Sequence, residues 1–200
     1  MRRRSGKAAA VAGVMLFGIV AAAPAARATL IGQTVTVGLT DGGSLALSDT
    51  VVVGAGPELA PGDGSQIGGV LLPNERVDVG AEQVVLTLEE GAPNGTTGYP
   101  AGTHYLLSNL VFFDAPTALV GVNVLASNVS NLSPATVSFT SSTVSVALDT
   151  LVIGDIPGID VGTLTLELQF QVVPEPAAAA LLATGLATFG CVARRGRRPA

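Results

Sequence analysis

The chain has 200 residues with a single cysteine, which excludes an intramolecular disulfide, and no tryptophan, which removes the strongest aromatic platform for a sugar. Its net charge of −5 divides unevenly: nine of the ten basic residues lie within 2–27 and 194–198, while Thr29 to Pro176 holds Arg76 alone against all 15 acids, a formal −14. A body so anionic excludes nucleic acid and anionic lipid as partners and attracts cations.

Arg2, Arg3, Arg4 and Lys7 precede an apolar run from Ala8 to Ala23, and Ala26-Arg27-Ala28 forms a small-x-small cleavage site. That order predicts a secretory signal peptide over 1–28, cut by signal peptidase after Ala28, with Ala26 and Ala28 as the residues it reads. Arg3 and Arg4 admit a twin-arginine route, but Ser5-Gly6-Lys7 fits it only loosely, so the general secretory machinery is the expected carrier. The remaining body, 29–173, is long enough for one hydrophobic core and too short for two.

Period-two alternation, the mark of a strand with one buried face, runs through this body. Thr34 to Leu39, Gln83 to Glu90, Thr136 to Thr140 and Thr143 to Asp149 are predicted strands. Tyr105 to Phe113 and Ala118 to Ala126 are predicted as two longer ones joined by a turn at Asp114-Ala115-Pro116. In Thr163 to Val172 the pattern is clearest, with Leu164, Leu166, Leu168, Phe170 and Val172 on one face. Gly54 to Gly69 and Gly91 to Gly102 read as loops, and no stretch has a helical period. Eight to ten short strands predict an all-β fold, an antiparallel β-sandwich of jelly-roll type.

The sequence also echoes itself. Ser44-Leu45-Ala46-Leu47 followed by Asp49 to Gly54 recurs as Ser145-Val146-Ala147-Leu148 followed by Asp149 to Gly154, and Val77 to Gly80 recurs as Ile159 to Gly162. Either half of the domain is duplicated, or one hairpin solution is used twice.

Chemistry-bearing residues are sparse. His104 is the only histidine, no G-x-S-x-G elbow accompanies it, and a loop or strand-edge role is expected, so catalysis is not. One histidine with scattered acids is a poor start for zinc. Asp41, Asp49, Asp63, Asp155 and Asp160 sit in or near glycine-rich turns, yet no EF-hand spacing occurs; a solvated acidic surface is expected, no cofactor is required, and calcium is the ion to test. Asp149 and Asp160, which recur in the echo, are the metal candidates. Tyr99-Pro100 offers the one plausible exposed ring for a carbohydrate. Asn94, Asn128 and Asn131 begin N-x-[ST] triplets, read as coincidence in an Asn/Ser/Thr-rich chain.

The tail, 174–200, has three parts. Pro174-Glu175-Pro176 is stiff and extended, because proline fixes its own φ and restricts the residue before it. Ala177 to Ala193 is an uncharged apolar run of 17 residues. As a helix it would be about 25 Å long, close to a hydrocarbon core of about 30 Å, and is the predicted transmembrane segment. Arg194, Arg195, Arg197 and Arg198 follow as a basic cluster that stops transfer and stays cytoplasmic.

This order of parts resembles the PEP-CTERM sorting signal of Gram-negative bacteria, with Pro174, Glu175 and Pro176 carrying the match. Gly196 splitting the arginines and Pro199-Ala200 beyond them are small departures. The resemblance implies processing by an exosortase from an inner-membrane intermediate. It also implies a final place at the cell surface or outer membrane, or in an extracellular matrix with exopolysaccharide. The body's role is then non-enzymatic, with a calcium- or carbohydrate-binding module as the alternative and a hydrolase as the third.

Overall fold

The computed structural model describes residues 29–112, 117–154 and 160–173. The signal peptide, the turn at 114–116, Asp155 and the tail from Pro174 lie outside them. Every regular element among the described residues is a strand. In chain order these are β1 (Thr34–Asp41), β2 (Ser44–Val52), β3 (Arg76–Val79), β4 (Gln83–Glu89), β5 (His104–Ser108), β6 (Thr117–Ser127), β7 (Val129–Ser130), β8 (Val137–Phe139), β9 (Val144–Ala147), β10 (Val152–Ile153) and β11 (Val161–Val172).

The strands form two main antiparallel sheets, ordered β2-β1-β5-β9-β8 and β3-β4-β11-β6, with β7 and β10 as a separate pair. β11 is the axis of the second sheet. Its alternation is realised as read: Leu164, Leu166 and Leu168 are buried, while Glu167 and Gln169 face solvent. In register, Leu164 stands opposite Leu86 and Ala126, and Leu166 opposite Val84 and Val124. The buried face fades toward the end, where Phe170 is half-buried, edge-to-face with Phe112 at 4.5 Å, and Val172 is exposed. Val35, Val37, Tyr105, Leu107, Val144 and Val146 from the first sheet share one core with Val77, Val84, Leu86 and Leu164 from the second. Burial on this scale is the dominant stabilising contribution to such a fold.

Three expectations change. The strand foreseen over Tyr105 to Phe113 stops at Ser108, because Asn109 takes a left-handed φ of 63° that no strand continues through, and Leu110 N–H turns to Ser142 O at 3.0 Å. The two strands flanking the 114–116 turn do not pair, since β5 belongs to the first sheet and β6 to the second. The echo is not a repeated structural unit: Ser44–Val52 is one edge strand, whereas its counterpart is divided between an interior strand, β9, and the separate β10.

Candidate functional site

Several of the acids tie backbone together, while others, Glu167 among them, face solvent. Asp49 accepts backbone N–H bonds from Gln66 (3.0 Å) and Ile67 (2.7 Å). Glu58 accepts from Gly54 (2.8 Å) and Val79 (2.5 Å), Glu89 from Asn74 (2.7 Å), and Glu90 from Gly95. Asp149 accepts from Gly102 at 2.8 Å. Asp63 accepts from the N–H of Ala60 and Ser65, both 2.8 Å, and from the Ser65 hydroxyl. A carboxylate receiving N–H donors is a charge-assisted tie, and each of these closes a loop against its neighbour. The glycine- and proline-rich loops are anchored in the core by Leu59, Ile67 and Tyr99, and the carboxylates tie their backbone as well. Asp49, within β2, and Asp149, in the turn after β9, each hold the backbone of a glycine-rich loop.

Asp63 shows the energetic sign. Burial pushes its carboxyl up, but the bonds from Ser65 and Ala60 together outweigh this and hold it below the usual carboxylate range. Its folded pKa is depressed, so the stability it supplies is present above the unfolded value and is lost as pH falls through the folded one.

Asp149 is therefore occupied by Gly102, and Asp160 contributes its backbone oxygen to Glu90 N–H at 2.7 Å. Among the described residues, no three His, Cys, Asp or Glu side chains are placed to share an ion. Screening of like charge then predicts that sodium chloride and calcium chloride at matched ionic strength raise the melting temperature of the body equally. Saturable stabilisation by calcium alone, abolished by Asp149→Asn or Asp160→Asn, is the contrary result.

His104 opens β5, and its Nδ1 lies 3.3 Å from the Ser145 hydroxyl of β9. The pairing of Leu106 with Ser145 and His104 with Ala147 makes this a diagonal cross-strand contact. The sequence reading did not foresee a serine beside the histidine. No carboxylate among the described residues is hydrogen-bonded to the imidazole, so the orienting acid of a triad is not supplied there.

The least expected group is Glu75. It is 0% exposed, its Oε2 accepts Leu72 N–H at 3.0 Å and the Tyr99 hydroxyl at 2.8 Å, and its Oε1 has no partner among the described residues. Arg76, next in sequence, donates to the carbonyls of Pro73 and Glu75 and leaves this carboxylate alone. Burial raises the Glu75 pKa, more than its hydrogen bonds lower it. Burial likewise pushes the Tyr99 and Tyr105 hydroxyls up, with the neighbouring Glu75 charge adding to both. Tyr99 is less exposed than expected: its ring is half-buried against the core and its hydroxyl is bonded to buried Glu75.

Tyr99 and Pro100 line a surface depression of about 220 Å³ with Leu39, Leu47 and Val70. Two further depressions lie elsewhere. One, of about 440 Å³, lies on the outer face of the second sheet and is lined by Glu82, Gln83, Asn123, Glu167 and Gln169. Gln83, Glu167 and Asn123 align across three strands there, giving carboxylate and amide oxygens suited to hydroxyl groups. The other, of about 360 Å³, is apolar and lies between β6 and β8, lined by Val122, Val124, Leu132, Val137 and Phe139. Asn128 and Asn131 have a conformational reason to be asparagine, with φ of 58° and 62°, and Asn131 also donates to Thr150 O at 2.6 Å. Pro174, Glu175, Pro176, the four arginines and the Ala26/Ala28 cleavage site all lie outside the described residues.

Comparison of the chain with protein-family models, curated proteins and solved structures finds no match.

Proposed function

We propose that this chain is an exported, non-enzymatic β-sandwich of jelly-roll type, sorted by an exosortase through a PEP-CTERM tail. The observation that carries this reading is the order of parts at the C-terminus: Pro174-Glu175-Pro176, then the uncharged run Ala177 to Ala193, then Arg194, Arg195, Arg197 and Arg198. The signal peptide over 1–28 brings the chain to the inner membrane and signal peptidase releases its N-terminus. The apolar run and arginines hold it there as an intermediate. Processing at the extended proline strip then moves the body to the cell surface, the outer membrane or an exopolysaccharide matrix. Two antiparallel sheets sharing one core support the sandwich. A second reading, a carbohydrate-binding module on the same scaffold, is favoured by the polar depression around Glu167, whose oxygens and amides match a polyhydroxylated ligand. Calcium binding and hydrolysis have less to support them.

Replacing Pro174, Glu175 and Pro176 together by alanine tests the sorting reading. The apolar run and arginines are kept, but the extended strip is lost. The variant is expected to accumulate unprocessed in the inner membrane; wild-type gel mobility and fractionation would remove the assignment.

A further inference from the structure

Among the described residues, one long sheet edge is both unpaired over most of its length and free of charge. The outer edge of β3 is covered, because Val77 exchanges backbone hydrogen bonds with Leu59 at 3.0 and 3.1 Å and Val79 N–H donates to Glu58. That of β2 is touched at Ser48 O by the Gln66 amide, and the strand carries the charge of Asp49, whose carboxylate holds the backbone of Gln66 and Ile67. β8 has only three residues. β6 has eleven, pairs with β11 on one side, and on the other is held at Leu119, whose N–H reaches Ser141 O at 2.8 Å. From Val120 to Ala126 no described residue pairs with that outer edge.

Edge strands of monomers are blunted by charge, proline, bulges or shortness, because a row of free N–H and C=O groups invites another strand. Val120 to Ala126 has no charge and no proline, and the bulge of the β6–β11 pair lies at its start, leaving the rest regular. Its side chains are equally unprotected: Val120 is 51% and Leu125 53% exposed. Val124 stands opposite buried Leu166 on the core-facing side, yet is 38% exposed and lines the apolar groove with Phe139.

Charge selects the occupant. The 34 residues from Ala115 to Leu148 contain no charged side chain, whereas Thr29 to Val173 carries 14 acids against Arg76. Two copies can therefore meet along β6 without setting carboxylate against carboxylate, and each brings an uncharged strand of the same length. We propose that β6 pairs antiparallel with β6 of a second copy across a two-fold axis, joining two four-stranded sheets into one of eight strands. Such a contact is self-complementary and closes at two copies.

The test uses the full chain with Cys191→Ser, in membranes and in detergent. Single cysteines are placed in turn at each position from Val120 to Ala126, and at Asp78 on β3 as the control. Because disulfide geometry demands Cβ atoms about 3.5–4.5 Å apart, only positions at the axis should cross-link. The expected result is a disulfide-linked dimer from one or two β6 positions and none from Asp78. Val120→Asp with Leu125→Asp places like charges across the axis and should weaken dimerisation by at least about tenfold, read by sedimentation. Both sites are exposed, so the melting curve of the monomer should be retained. A monomer at every concentration, an open-ended polymer, cross-linking through Asp78 as strong as through β6, or a dimer indifferent to the two aspartates overturns the proposal.

Discussion

Leu166→Ala is expected to cost about 2–5 kcal/mol, the range for emptying a fully buried leucine site. Leu166 is 0% exposed at the centre of the second sheet, between Val84 of β4 and Val124 of β6. Truncation leaves a void in contact with the first sheet's side chains, and neither neighbouring strand can close in without breaking its own register. A domain stable by about 5–15 kcal/mol loses a large share of that margin. Thr165, one residue earlier, points to the outer face, and Thr165→Ala should cost less than about 1 kcal/mol. Urea unfolding of both variants of the body checks this. Equal midpoints would show that the buried face of β11 has been misassigned.

Glu75 gives the second large effect, and its sign depends on the replacement. Glu75→Ala leaves Leu72 N–H and the Tyr99 hydroxyl without their acceptor inside the protein, at about 1–3 kcal/mol for each orphaned donor. Glu75→Gln keeps an acceptor for both and removes the charge. The pKa of Glu75 is raised in the folded state, chiefly by burial. The stability linked to its proton is thus fully present below the unfolded value, about 4.3, and is lost as pH rises through the folded one. Once the carboxylate ionises it is a charge in the core, so Glu75→Gln should gain on wild type as pH rises through the folded value. As pH falls toward the unfolded value, wild type should gain on the glutamine variant. A constant difference between the two from pH 7 to pH 4.5 would show that Glu75 does not titrate as a buried acid.

How far the sequence could be read depended on the range over which each feature is encoded. β11 was legible because alternation is a local signal and Leu164 to Leu168 obey it without interruption. β2 was visible only as an echo; it is an edge strand whose residues are exposed or half-buried with little alternation, so its pattern carries no clear period. β3 and β10, with four and two residues, are too short for any period to register. Asn109 ended β5 early through a backbone conformation that asparagine permits but does not announce. Glu75 could not be singled out, because Pro73-Asn74-Glu75-Arg76 reads as an ordinary polar turn. Its side-chain partner is Tyr99, 24 residues further on. Ser145 and His104, 41 residues apart, meet only because β5 and β9 are neighbours in a register that no local pattern specifies.

The position of β11 also imposes a timetable. It lies between β4 and β6, and among the described strands it is the last made. A chain synthesised from its N-terminus can assemble the five-stranded sheet once β9 has appeared. The other sheet must wait, because β4 and β6 have no direct pairing and no bridge between them until residues 161–172 have cleared the ribosome or a translocation pore. Through that interval both strands carry unpaired backbone and uncovered valines and leucines, the condition in which β proteins misassociate. Val173 alone separates the end of β11 from Pro174. The strand that completes the body and the motif that follows it therefore emerge almost together.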